Sequence, residues 1–174
     1  MRRGCPHGDA AKKRSNYALK LETINGNSWG TLRGCLKKTA AHVVCIQEHR
    51  LHTQAQIDAA SRWCLNNGWK SVCSKANTCD DSDEGSGGVA VLDSKDHIGL
   101  ALAEDLLSPT ARCVAAKVDV PGCRRLLVTS AYFRCTAGFK HDNVQCLKPL
   151  LRLQRPGLAW PGPTALGADF NTTP

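Results

Sequence analysis

The stretch His42-Val43-Val44-Cys45-Ile46-Gln47-Glu48 decides how this chain reads, because a compact apolar run passes directly into an amide and a carboxylate. A run of that length, bounded in that way, is a buried β-strand whose last residues emerge polar. Upstream, Tyr17, Leu19 and Leu21 alternate with Ala, Lys and Glu as a half-buried strand does, until Asn25-Gly26-Asn27-Ser28 breaks the pattern. Leu32, Cys35 and Leu36 then fit one face of a short helix. Downstream, Thr53 is placed to cap a helix carrying Ile57, Ala60 and Cys64 on one side, with Gly68 placed to end it.

Further along, Trp69 to Cys73 reads as a short strand, and 75–86 as an acidic loop bearing Asp80, Asp81, Asp83 and Glu84. Gly87-Gly88 opens a second buried strand, Val89 to Leu92. Cys113 to Val120 and Arg125 to Phe133 flank Pro121-Gly122 and read as a hairpin. Val144, Leu147 and Leu151 carry helical spacing over Asp142 to Gln154, with Pro149 expected to kink or end that helix unless neighbouring contacts compensate. A Pro/Gly-rich stretch, Arg155 to Thr164, leads into Ala165-Leu166-Gly167-Ala168-Asp169-Phe170-Asn171. Alternating strands and helices with one hairpin predict a mixed α/β layered fold.

Composition narrows the class. A chain of 174 residues with 42% hydrophobic and 22% charged residues suits one packed domain. The expected division is a basic disordered tail over 1–16, rich in Arg2, Arg3, Lys12, Lys13 and Arg14, and one domain over 17–174. The 23 Lys and Arg against 15 Asp and Glu leave a net charge of +8, which favours an anionic partner, nucleic acid above all. Ten cysteines are many, yet none is spaced CxxC, and Cys45, Cys113 and Cys146 sit in apolar stretches as small hydrophobes do. The reading is free thiols in a reducing, intracellular compartment, with a nuclear address open through the basic tail. No apolar run approaches the roughly 20 residues that span a bilayer, so no membrane partner is expected.

Polar groups close three of the strands: Asn25 with Asn27, Gln47 with Glu48, and Asp169 with Asn171. Side chains at strand ends are held rigidly yet reach solvent, which suits a metal or phosphate site. Carboxylate and amide oxygens of this kind suit a hard cation such as Mg2+ (or Mn2+) that keeps several waters. Taken one at a time, such residues are also ordinary caps and turns. His49 and His52 form H-x-x-H, but no second ligand pair accompanies them, and both read as exposed loop residues rather than as a zinc site. The cluster from Asp80 to Glu84 lacks calcium-loop spacing and reads as solvated.

Order and local sequence together resemble the endonuclease/exonuclease/phosphatase (DNase I-like) family. Thr23-Ile24-Asn25-Gly26-Asn27 resembles its first motif, Ile46-Gln47-Glu48 its QE motif, and Gly167-Ala168-Asp169-Phe170-Asn171 its GDxN motif. Gly87-Gly88-Val89-Ala90-Val91 is similar to its central strand, and Val128-Thr129-Ser130-Ala131-Tyr132 to its tyrosine-bearing strand. Gln47-Glu48-His49-Arg50-Leu51 looks most like the endonuclease domains of non-LTR retroelements.

The resemblance implies a two-sheet sandwich with outer helices, incomplete at its C-terminus, acting as a Mg-dependent phosphodiesterase on nucleic acid, with DNA as the expected substrate. It implies Glu48 as the main metal ligand, Asn25 and Asn27 supporting the metal or a phosphate oxygen, and Tyr132 contacting the scissile phosphate. Asp169 would orient or deprotonate the attacking water, and Asn171 would stabilise the transition state. It also implies a place in a longer reverse-transcriptase polyprotein. Ala168 stands where the family has glycine, Cys135 where its nuclease branch often has Asn, and no residue after Asn171 matches the family's closing Asp-His element. The expectation is therefore a weak or inactive catalyst as this chain stands. The competing class is a non-catalytic basic module that binds nucleic acid without cutting it.

Overall fold

The computed structural model describes residues 18–79, 82–94, 99–120, 125–134, 141–153 and 160–170. The basic tail, the Pro121-Gly122 turn, Cys135 and Asn171 lie outside the described residues.

Two four-stranded sheets face each other. In the first, β1 (Leu21–Asn25) runs parallel to β2 (Val43–Gln47), and β2 runs antiparallel to β6 (Val89–Ser94), which pairs β3 (Trp69–Cys73). In the second, β10 (Thr164–Asp169) runs parallel to β9 (Leu126–Tyr132), followed by β8 (Cys113–Val118) and β7 (Leu100–Leu102) in antiparallel order. β4 (Asn77–Cys79) and β5 (Ser82–Ser86) form a separate ribbon. Helices α1 (Trp29–Leu36), α2 (Gln54–Asn66) and α3 (His141–Leu153) complete the described elements.

The period of two along each strand sorts side chains between layers. Val43 and Cys45 of β2, Val89 and Val91 of β6, and Val114, Ala116 and Val118 of β8 meet between the sheets. Val44, Ile46, Ala90 and Leu92 point the other way and pack with Leu32 and Leu36 of α1 and Cys64 of α2. Cys113, Ala115, Leu127 and Ala131 face Cys146, Leu150 and Leu153 of α3. Every residue of β2 and of β9 is buried, which is why both read as continuous runs rather than alternations. The mixed α/β sandwich with outer helices is thus the observed architecture.

Local signals explain the helix bounds. Ser28 accepts the Thr31 N–H at the start of α1, and Thr53 forms a full capping box with Gln56 at the start of α2. Among the described residues no helix is long and apolar enough to cross a membrane.

One expectation needs correction, and two further features go beyond the sequence reading. The stretch expected to be an acidic loop contains the β4–β5 ribbon, whose pairing is made by backbone groups and needs no apolar alternation. A Cβ on Gly85 would lie 2.2 Å from the Arg50 carbonyl oxygen, so only glycine lets β5 lie so close. α3 runs through Pro149, because burial of Cys146, Leu150 and Leu153 offsets a penalty of about 3 kcal/mol for an internal proline. The short β7 went unforeseen, since three residues with two of them exposed carry no readable period.

Candidate functional site

The parallel pairs β1–β2 and β9–β10 bring four carboxyl-terminal strand ends together. Register places Asn25 opposite Gln47 and Asp169 opposite Tyr132. Across the sandwich, Asn25 Nδ2 donates to Asp169 Oδ2 at 2.5 Å, and Tyr132 Oη donates to Glu48 Oε1 at 2.7 Å. Two residues 144 apart in sequence and two 84 apart therefore meet at one end of both sheets.

Glu48 is presented by a turn that the backbone enforces. It lies at φ 57, and Arg50 at φ 59, in the left-handed region that non-glycine residues rarely adopt. The turn is held by His49 N donating to Gly88 O at 3.2 Å and Arg50 N donating to Gly87 O at 3.0 Å. Gly87 and Gly88 themselves sit at φ 80 and 82, and a Cβ on Gly88 would come within 2.5 Å of the His49 ring. Local strain of this kind persists where surrounding contacts fix the backbone, and it concentrates at functional sites. The Glu48 side chain is 14% exposed, with Arg50 Nη2 at 4.0 Å from the oxygen that Tyr132 already addresses.

Gln47, which the sequence marked beside Glu48 as a polar group closing a strand, is a strut between the sheets. It is fully buried; Nε2 donates to Ser130 Oγ at 3.1 Å and to Gly167 O at 3.3 Å, while Oε1 accepts from Thr23 Oγ1 at 3.0 Å. Ser130 in turn donates to Ile46 O at 2.7 Å. One amide thus ties β1, β9 and β10 to β2 and fixes where Asp169 ends up. A glutamine inside an apolar strand was the available signal, because a buried amide is costly unless it is hydrogen-bonded. Gly167 belongs to the same contact: a Cβ there would lie 2.4 Å from Cys45 Cβ.

The structure places the other expected site residues as follows. Asn27 is exposed at φ 53, and its backbone N–H donates to Asn25 Oδ1 at 3.4 Å, so its observed part is to orient Asn25. Asn25 joins Asp169 directly, and Glu48 joins Tyr132. Among the described residues no three His, Cys, Asp or Glu side chains gather as a metal cluster. Gln47, Ser130 and Gly167 stood in the motifs without a role of their own, and Arg112, whose guanidinium carbon is 5.3 Å from the Tyr132 ring centroid, went unmarked.

His49 corrects a further expectation. His52 is half-exposed, but His49 is buried, with Nδ1 accepting the Leu51 N–H at 3.0 Å. Burial pushes its pKa down to about 4, with the Val89 and Ser74 backbones opposing the shift. The unfolded chain takes up this proton near pH 6.5, while the folded chain refuses it until about pH 4. Stability is therefore whole above pH 6.5 and falls as pH drops through that window, by about 3 kcal/mol at its lower end. Urea melts in chelator between pH 7.5 and 4 measure this, and His49→Asn, which keeps an acceptor for Leu51 N–H, should flatten the slope.

No protein-family model matches this chain, and no curated protein matches it. Solved structures do. The human nocturnin catalytic domain superposes with a TM-score of 0.62 at 15% identity, covering 90% of this chain and 65% of that one. A 3'-5' exonuclease from Neisseria meningitidis gives 0.53 at 21% identity, covering 88% and 58%. An AP endonuclease from Leishmania major gives 0.57 at 15% identity, covering 87% and 54%. The fold is that of the endonuclease/exonuclease/phosphatase, DNase I-like proteins. This chain spans 54% to 65% of the length of these three structures.

Proposed function

We propose that this chain carries a phosphoester-hydrolysing site for nucleic acid, built around Glu48 and served by a hard divalent cation. The observation that carries this reading is the convergence of Asn25 with Asp169 and of Tyr132 with Glu48 at the carboxyl ends of four strands. The donor chemistry fits the cation. Carboxylate and amide oxygens suit Mg2+ or Mn2+, which binds through one or two carboxylates and keeps its waters. When bound, such an ion neutralises charge on the non-bridging phosphate oxygens and lowers the pKa of an attacking water.

The chain's own residues then divide the work. Glu48 holds the cation, its orientation set by the Tyr132 hydroxyl. Asp169, steadied by the Asn25 amide, accepts the proton of the attacking water or orients it. Asn27 keeps Asn25 in place, and Asn171 follows Asp169 as a donor to the developing charge. The net charge of +8 and the nuclease neighbours support a nucleic-acid substrate. The Gln47-Glu48-His49-Arg50-Leu51 segment supports DNA, in the manner of a retroelement endonuclease within a reverse-transcriptase polyprotein. For these 174 residues alone we propose slow turnover, because none of them matches the family's closing Asp-His pair, and a general acid is worth about 10²-fold.

The test is relaxation of supercoiled plasmid. Nicking in Mg2+ that chelator abolishes supports the site. Salt-sensitive DNA binding that chelator leaves unchanged, with no nicking at any metal concentration, sinks it in favour of a basic binding module.

A further inference from the structure

Phe170 directly follows Asp169 at the end of β10 and is 53% exposed, but its ring has a defined seat. It lies parallel to the ring of Phe133, with centroids 5.0 Å apart and 4° between the planes, and Phe133 is itself buried. The strand ends that carry the two rings are tied by Phe133 N donating to Asp169 O at 2.9 Å. Beyond Phe133, Arg134 is exposed, and buried Asn143 holds its backbone by accepting from Arg134 N at 2.9 Å and donating to Arg134 O at 3.1 Å. With one face stacked and half of its surface in water, Phe170 presents its opposite face to solvent. Single apolar side chains on a surface are ordinary. This one differs in two respects. Among the described residues every other aromatic side chain is buried or half-buried, and this ring rests on a buried partner beside Asp169, whose carboxylate meets Asn25.

We propose that Phe170 is a stacking platform for an unpaired nucleobase of the substrate strand, next to the phosphodiester that the Asp169 site addresses. The inference deepens the function proposed above and rests on it. Alternation along β10 sends Asp169 toward Asn25 and Phe170 to the opposite face, where Ala168 packs in the same cluster as Phe133. The ring therefore stands on the outer rim of the site and suits a neighbouring base, not the scissile phosphate. The spacing agrees, since consecutive Cα atoms are about 3.8 Å apart and a stacked strand advances about 3.4 Å per nucleotide. A base offers a flat π-face that a phenyl ring accepts in offset stacking, whatever the base. In a duplex both faces of an internal base are covered by its neighbours, so the platform selects single-stranded or locally unpaired nucleic acid. The exposed Arg134 beside Phe133 and the net charge of +8 favour the phosphates of that strand.

Equilibrium binding of a short fluorescein-labelled oligothymidylate, measured in chelator, tests this. Phe170→Ala and Phe170→Leu are each expected to weaken binding about tenfold, because leucine restores apolar bulk without a π-face, while Phe170→Trp binds at least as tightly as the unsubstituted chain. An abasic oligonucleotide of the same length keeps the phosphates and lacks the bases. It should bind the unsubstituted chain and Phe170→Leu equally. Equal affinity of those two chains for oligothymidylate, an equal loss of both oligonucleotides on substitution, or no oligonucleotide binding at all overturns the proposal. So does a dimer in sedimentation that Phe170→Leu dissolves while oligothymidylate affinity is unchanged, which would make the ring a contact between copies. Circular dichroism checks folding, and failure of both Phe170→Ala and Phe170→Leu to fold assigns the ring a purely structural role and ends the proposal. Chelator removes the cation from the assay, so stacking can fail while Mg2+-dependent nicking persists, and nicking can fail while stacking holds.

Discussion

Glu48→Gln is expected to reduce Mg2+-dependent cleavage on the order of 10²-fold or more while leaving the fold intact. The substitution keeps shape and an acceptor for the Tyr132 hydroxyl but removes the charge that holds a hard cation. Its 14% exposure places the side chain at the rim of the core rather than inside it, so the structural cost is small. Cleavage assayed beside thermal melts separates the two effects. Equal loss of activity and of melting temperature would return Glu48 to a structural role.

Gly167→Ala is expected to destabilise the protein by about 3 kcal/mol, which for a chain of this size lowers the melting temperature by roughly 6 to 12 °C. Alanine ordinarily gains over glycine in a strand, so propensity alone predicts the opposite sign. Sterics decide here, because the new Cβ would sit 2.4 Å from Cys45 Cβ and 2.7 Å from its sulfur. Among the described residues β10 pairs with β9 alone, so the strand can yield by moving outward. That movement breaks the Gln47 contact to the Gly167 carbonyl at 3.3 Å and carries Asp169 away from Asn25. Cys45→Gly in the same chain should recover part of the loss, whereas Cys45→Ala, which keeps the offending Cβ, should recover little. Melting curves of the single and double variants measure the coupling.

Much of this was legible in the sequence, for identifiable reasons. β2, α2 and the β8–β9 hairpin carry strong local signals: an unbroken apolar run, a capping box at Thr53, and paired strands around a turn dipeptide. Asn25, Glu48 and Asp169 were marked because polar groups that close apolar strands are reachable and rigid. What remained hidden is long-range. That Gln47 would brace β9 and β10, and that His49 would be buried while His52 is not, depends on which elements fold over them. Neither has a local period. β10 follows a Pro/Gly-rich stretch, and its docking rests on parallel pairing with a strand about 37 residues earlier, which no window of local pattern reveals.

If Glu48 and its neighbours form a hard-cation site, binding shows it whether or not these residues turn over substrate. Titration of the chain with Mn2+, followed by the electron paramagnetic resonance of the free ion, is the direct measurement. One saturable site is expected, competed by Mg2+, lost in Glu48→Gln and weakened in Asp169→Asn. Mn2+ that stays free, or that binds equally well to Glu48→Gln, would rule out a cation site at Glu48.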